Sequence, residues 1–533
     1  MRKFILLLVA VAIVCVWALT CSLLPVKYDI LIKNGVVIDG SGKPRYTADV
    51  GINGGKVVAI GSLWALITEI DIDASGKVVC PGFIDLHTHA ERNILEIPAV
   101  ENYTRQGVTT VVGGNCGGSP FPVGEFMQSV EEEGITLNLI LLVGHNTVRE
   151  RIMGTENRVP TKDELVMMKE LVAQAMDEGA FGFSTGLKYV PGSYASTDEV
   201  VALAGVAASY GGFYATHMRD EGLKIIESVQ EAIEIGRRTN APIQISHHKV
   251  VGRGMWGRSE ETLRLIDEAH EQGLDITFDQ YPYTATSTGL TVLFPAWSLA
   301  GGPDSIRIRL DDPRTRKRIK EGIEFNILHD RGGGDPASVV VVSHRTDSTL
   351  AGKDLAEITR MRGRRPTVAN AAETLMELVY EGGGSGIYHC LSEDDVTRIM
   401  RHPLGTVGSD GSTVLFGEGI VHPRNYGTFP RVLGRYVREQ SVLTLEEAIR
   451  KMTSLPAERL GLEDRGLIHK GSRADVVVFD PKTILDNATF LDPHQYSAGI
   501  EYVIVNGQMV IGNGVYTGKR PGYVLRKTKT IIK

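Results

Sequence analysis

Residues 83–89 read Phe-Ile-Asp-Leu-His-Thr-His, an apolar run that turns polar and closes on two histidines one residue apart. Side chains of an extended chain alternate with a period of two, so His87 and His89 point to the same side and can reach one metal ion. A single such pair in a loop would carry little weight, but the pattern recurs. Further apolar segments reach a polar residue near their ends: TTVVGGNC at Cys116, LILLVGHN at His145, FGFSTG at Ser184, GFYATH at His217, IQISHH at His247, ITFDQY at Asp279 and TVGSD at Asp410. As far as Asp279 these ends follow one another at about 30–40 residues, the length of a strand–helix–strand crossover. Eight such strands predict an α/β chain folded as a (β/α)8 TIM-type barrel.

The intervening helices carry their own signals. Thr161-Lys-Asp-Glu164 is a capping box, Leu165, Met168, Val172 and Ala175 form one apolar face, and Gly179 stands where a helix stops. Between Asp279 and Asp410 the gap is 131 residues, too long for one crossover, which places an insertion within about 289–400. Its Gly- and Arg-rich parts, AGGPDS, DRGGGDP and RMRGRRP, read as loops, either a lid over the barrel mouth or surface decoration.

On both sides of the barrel, assigned to 80–459, the pattern is all-β. Residues 28–79 and 460–533 are short alternating strands, each set too small to bury a core alone, and are expected to share one small β-sandwich. Asn34-Gly35 and Asn506-Gly507 both read as hairpin turns, because these residue types tolerate positive φ. Ahead of them, Met1-Arg2-Lys3 precedes Phe4–Leu24, an uncharged, almost wholly apolar run of 21 residues. That length spans a bilayer core as a helix, so residues 1–27 are expected to form a membrane anchor. Arg2 and Lys3 would stay cytoplasmic and the body would be periplasmic or extracellular. The rival is a cleaved signal peptide, which would leave a secreted protein.

Composition removes other classes. Of 533 residues, 42% are hydrophobic and 23% charged, which excludes disorder and a polytopic membrane protein. With 57 Lys+Arg against 64 Asp+Glu the net charge is -7, so the basic field that a nucleic-acid partner requires is missing. Only Cys80, Cys116 and Cys390 follow the apolar segment, an odd number that argues against a disulfide framework.

The active site of a parallel barrel lies at the carboxyl ends of its strands, where His87, His89, Cys116, His217, His247 and Asp410 fall. Cys116 sits in GGNCGG, whose glycines let the backbone turn sharply. A buried thiol, a nucleophile and a thiolate ligand compete for that position; a Cys–His nucleophile pair would leave three histidines without a role, which favours the ligand. Asp410, in VGSDGS, is placed to take a proton from metal-activated water and return it to a leaving group, and its rival reading is a turn or helix cap.

These motifs resemble the amidohydrolase superfamily: PGFIDLHTHAE after a small β region, histidines ending strands five and six, and an aspartate ending strand eight. More narrowly, GGNCG, FGFSTGLKYVPGSYAS, YATHMRDEG, ISHHK, DQYPYTA, VGSDG, HPRNYGTFPRVLGRYV and PGYVLR resemble the N-acyl-D-amino-acid deacylases, or D-aminoacylases, from about Tyr28 to Arg526. The resemblance implies one tightly held zinc on Cys116, His217 and His247, a second, weaker metal site on His87 and His89, and Asp410 as the general base. His247 is preferred to His248 because it directly follows Ser246 and alternation points His248 away. The resemblance also implies substrate contacts at Lys249, Tyr281, Ser287 and Arg398, with Arg401 as the alternative to the last. Lys188 lies beyond the strand-four end and reads as a loop residue, not a carboxylated metal bridge.

The implied reaction is zinc-dependent hydrolysis of the amide of a small-molecule N-acyl-D-amino acid to a carboxylate and a free D-amino acid. The rivals are a cyclic-amide hydrolase of the hydantoinase or dihydroorotase kind and a catalytically inactive, membrane-tethered binding protein.

Overall fold

Eight parallel strands close into the expected barrel in a computed structural model that describes residues 27–64 and 67–528. They are Phe83–Asp85, Val108–Gly113, Asn138–Leu141 continued by Val143–Gly144, Gly182–Gly186, Phe213–His217, Ile243–Ile245, Ile276–Gln280 and Gly405–Val407. Neighbours pair in parallel, from Asp85 opposite Val111 round to Phe278 opposite Gly405. Val108–Gly113 is buried at every position, as a strand covered on both faces requires. The seam between the eighth and first strands is made beyond their ends. Ser409 N donates to Asp85 Oδ1 (2.9 Å), Asp410 N donates to the His87 carbonyl (2.7 Å), and Gly411–Ser412 runs parallel to Thr88–His89.

The outer helices follow their sequence signals. In Lys162–Asp177 the Thr161 hydroxyl accepts from Glu164 N while the Glu164 carboxylate accepts from Thr161 N, and Met168, Val172 and Ala175 are buried. The chain leaves this helix through Gly179 at φ +110°.

Strands from the two chain ends join edge to edge, Val78–Pro81 pairing antiparallel with Val476–Phe479. The result is one connected sheet of nine strands. Its halves enclose a core of Ile30, Ile32, Val50, Val476, Val478 and Ile504. The intervening Val477 and Phe479 pack instead into the barrel core, so a sandwich-like interior is built by one sheet, not by two.

Of the two Asn-Gly pairs only the second is a hairpin: Asn506 (φ 49°) and Gly507 (φ 80°) link Ile500–Val505 to Gln508–Gly512. The expected turn at Asn34-Gly35 is corrected to a bulge inside the continuous strand Lys27–Val37, whose register against Tyr46–Asn53 shifts between Ile32 and Gly35. Pairing along both edges, with Tyr46–Asn53 on one side and Ile67–Asp73 and Val78–Val79 on the other, holds the chain extended there. Asn34 N donates to Asp49 Oδ1, and a Cβ on Gly35 would stand 2.4 Å from Val79 Cγ2.

The insertion is an ordered α/β layer. Thr286–Gly289, Gly384–Tyr388 and Val339–His344 form an antiparallel sheet. The helices Gly302–Asp311, Pro313–His329, Leu355–Met361 and Val368–Tyr380 share a separate core with it, including Leu290, Ile323, Val341 and Leu375. The glycine- and arginine-rich stretches supply the connections and helix ends of this layer.

The expected anchor, Phe4–Leu24, lies outside the described residues. Among the described residues no helix is long and apolar enough to cross a membrane.

Candidate metal centre

The loop after the second strand aims the Cys116 sulfur into the barrel mouth. Gly114 takes φ +77°, and a Cβ there would lie 2.2 Å from the Leu142 carbonyl oxygen; Gly117, at φ +79°, would meet Gly186 N at 2.7 Å. Asn115 Nδ2 donates to the Val112 and Leu86 carbonyls. Ser184, at the end of strand four, accepts from Gly117 N and donates to the Gly114 carbonyl, so its hydroxyl clasps the loop. Cys116 itself sits at φ 54°, His247 at 37° and Asp410 at 51°. Left-handed backbone costs such residues of order 1–3 kcal/mol each and persists where the surroundings over-determine it, typically at functional sites.

Around the sulfur stand three imidazoles. His87 Nε2 lies 3.3 Å from Sγ, His217 Nδ1 3.6 Å and His247 Nε2 3.4 Å. Two bonds of zinc to sulfur and nitrogen, about 2.3 and 2.0–2.1 Å at a tetrahedral angle, put those atoms about 3.6 Å apart. The donor set therefore fits a zinc ion held by Cys116, His217 and His247. His87, Cys116, His247 and Asp410 also form one cluster of ligand atoms within 4.8 Å of one another.

Asp410 Oδ1 faces His89 Nε2 at 3.2 Å and His87 Nε2 at 3.6 Å, while its Oδ2 is ion-paired with Arg424 Nη1 at 2.7 Å. Burial alone would raise this carboxyl, but the Arg424 guanidinium and His89 outweigh it and hold it well below the usual carboxylate range. On the far side of His87, Nδ1 meets Asp279 Oδ1 at 3.1 Å; the same carboxylate accepts from His247 N and Gln244 Nε2. His89, Cys116, Tyr189, Ser287, Asp410 and Arg424 all line one cavity of about 440 Å³.

The other sequence-selected residues divide. His248 turns away to Thr262 Oγ1, and burial pushes its ring down to about 3, so it is a neutral packing residue. Ser287 reaches the cavity from the insertion's first strand. Tyr281 is buried, its hydroxyl has no hydrogen-bond partner among the described residues, and the Arg424 guanidinium carbon stands 5.1 Å from its ring centroid. Lys249 is buried, with its ammonium bonded to Glu221 and to the His247 carbonyl. Arg398 is corrected: helix Glu393–Arg401 carries it outside the barrel mouth, where it bonds Ser259 Oγ and Asp395, and Arg401 on the same helix is exposed. Lys188 pairs with Asp330 on the insertion at 3.0 Å.

Sequence reasoning did not select Glu221, Arg424 or Arg331, and treated Asp279 only as a strand end. Glu221 is buried, with Oε2 3.3 Å from His217 Nε2 and Oε1 3.2 Å from His247 Nδ1. Arg331, from the insertion, reaches Glu221 Oε2 at 2.6 Å. The MRDEG stretch after His217 and the HPRN stretch after Asp410 held the signal for two of them, as charged residues close behind strand ends.

The amidohydrolase family model matches residues 71–301 and 337–511; the unmatched stretch falls in the insertion and carries Arg331. N-acyl-D-glutamate deacylase of Alcaligenes xylosoxydans xylosoxydans is 37% identical over 95% of this chain and 98% of that protein. D-aminoacylase of the same organism is 36% identical over 94% and 98%. The crystal structure of N-acyl-D-glutamate deacylase from Bordetella bronchiseptica, complexed with zinc and a phosphonate inhibitor that mimics the tetrahedral intermediate, superposes with a TM-score of 0.79. It is 36% identical and covers 94% of this chain and 100% of that one. Matched by the family model over residues 71–301 and 337–511 and related at over a third identity along nearly its whole length, the chain belongs to the amidohydrolase family.

Proposed function

We propose that this protein hydrolyses the linear amide of N-acyl-D-amino acids, with zinc, to a carboxylate and a free D-amino acid. The observation that carries the reading is the convergence of Cys116, His217, His247 and Asp410 from four strand ends on one cluster of ligand atoms in a chain so similar to D-aminoacylases. Zinc held by Cys116, His217 and His247 would supply a Lewis acid to polarise the scissile carbonyl and to lower the pKa of water towards ~7.

The chain's own residues do the rest. Asp410, kept ionised by Arg424, accepts the proton of the attacking water and delivers it to the departing amine nitrogen as the C–N bond breaks. His89 orients Asp410 through Oδ1. Arg424 lines the cavity, and its planar fork suits the substrate carboxylate, the task expected of Arg398 or Lys249 from sequence. Assaying the zinc-loaded protein on N-acetyl-D- and N-acetyl-L-amino acids and on hydantoin tests the reading. Release of D-amino acid is expected, and turnover of hydantoin alone would overturn it.

We also propose, from the length of the apolar run Phe4–Leu24 alone, that the protein is membrane-anchored with its body outside the cytoplasm. The full chain should then stay with membranes through alkaline extraction, and a chain beginning at Val26 should not; release of both would refute the anchor.

A further inference from the structure

Zinc binds an imidazole only through a nitrogen free of its proton, so each histidine ligand must hold one particular tautomer. His217 offers Nδ1 to the Cys116 side and His247 offers Nε2, so the two rings need opposite tautomers. One carboxylate faces both remaining nitrogens: Glu221 Oε2 lies 3.3 Å from His217 Nε2, and Oε1 lies 3.2 Å from His247 Nδ1. Lys249 Nζ also lies 2.7 Å from His247 Nδ1, but it has acceptors in Glu221 and the His247 carbonyl; once zinc takes Nε2 and Nδ1 carries the proton, Nδ1 cannot accept from the ammonium and Glu221 Oε1 is its acceptor.

His217, Glu221 and His247 also satisfy the spacing of a metal-ligand set, but Lys249 and Arg331 already occupy both Glu221 oxygens with positive charge. A cation there would be repelled. Glu221 therefore acts behind the ligands.

Arg331 comes from the insertion, in the turn after helix Pro313–His329. It is buried, donates from Nη2 to Glu221 Oε2 and from Nη1 to Thr286 Oγ1, and stands next to Asp330, which pairs with Lys188. The insertion thus touches the carboxylate that backs the metal ligands, while its Ser287, Thr288 and Ser385 line the substrate cavity.

We propose that Glu221 is a positioning residue that fixes opposite tautomers of His217 and His247, and that Arg331 holds Glu221 in place, so that zinc affinity depends on the docked insertion. The proposal rests on the metal site assigned above and not on the substrate.

Zinc dissociation constants of the purified full chain, measured by chelator competition, test it, alongside melting temperature and the visible spectrum of the cobalt-substituted protein. Glu221→Gln, which presents an amide NH2 to one of the two rings, is expected to weaken zinc roughly 10–100-fold, the range for outer-shell partners of metal ligands. Arg331→Met should weaken it in the same direction with an altered cobalt spectrum, and Arg331→Lys should restore part of the loss. A purely structural Arg331 would lower the melting temperature and leave zinc affinity unmoved, which would overturn the proposal, as would unchanged affinity in Glu221→Gln. If Glu221→Gln does not fold, the two Arg331 variants decide. A parent chain that holds zinc but hydrolyses no N-acyl-D-amino acid would refute the functional reading alone; one that holds no zinc would refute this inference.

Discussion

Arg424 Nη1 lies 2.7 Å from Asp410 Oδ2, and both side chains are about nine-tenths buried. Among the charges around that carboxylate Arg424 opposes the effect of burial most strongly, so removing it must raise the Asp410 pKa. A general base works only when ionised, so the acid limb of the kcat/KM profile should move to higher pH in Arg424→Met, with a raised KM as the substrate carboxylate loses its partner. Profiles of the two proteins between pH 4 and pH 9 check this; an unmoved acid limb would refute the assignment.

Asp410→Asn keeps the shape of the side chain and removes the proton acceptor. Loss of general-base catalysis should lower kcat by about 10²–10⁴-fold, with zinc content unchanged because Cys116, His217 and His247 remain. Metal analysis beside the assay separates lost chemistry from a lost site.

Cys116→Ser replaces a thiolate by a neutral hydroxyl at the point where three imidazoles converge. Zinc affinity should fall by more than the roughly 10–100-fold seen for outer-shell changes, and activity should return only with excess metal. Dialysis followed by elemental analysis reads the outcome.

Arg398→Ala should leave kcat/KM within about twofold, equivalent to less than ~0.5 kcal/mol, because Arg398 bonds Ser259 and Asp395 outside the cavity. A large rise in KM would restore it to the substrate site.

Thr161→Ala removes the hydroxyl half of the capping box on helix Lys162–Asp177. About 1 kcal/mol of local stability should be lost, read as roughly fivefold faster amide exchange in the first turn of that helix. Unchanged exchange would show that packing of Met168, Val172 and Ala175 holds the helix end by itself.

The barrel and the polar side chains at its mouth were legible because their signals are local. An apolar run ending in His or Cys names both a strand and the side chain at its mouth, so His87, Cys116, His217, His247 and Asp410 were found together. Glu221 and Arg424 stand close behind the strand ends at His217 and Asp410 but end no apolar run themselves, whereas Arg331 meets Glu221 across 110 residues, and nothing beside it in DRGGGDP announces the contact. The two Asn-Gly pairs show the same limit. Their dipeptides are identical, yet Asn506-Gly507 turns the chain and Asn34-Gly35 does not, because strands on both edges of Lys27–Val37 keep it extended. In the insertion the loops were legible but the helices and sheet between them were not, because its glycines mark the joints between elements while its core residues, such as Ile319, Ile323 and Ile327, are dispersed along helices.

The pairing of Val78–Pro81 with Val476–Phe479 also sets a timetable for biogenesis. The amino-terminal strands are made first, but the edge they present finds its partner only several hundred residues later, roughly 20–80 s at ribosomal speeds of about 5–20 residues per second. During that interval Val78, Val79 and Cys80 form an apolar, unpaired strand edge, the kind that templates aggregation. Holding that edge until the carboxyl end emerges is a task for a chaperone, and yield on expression should respond to chaperone supply more sharply than the stability of the finished molecule would suggest.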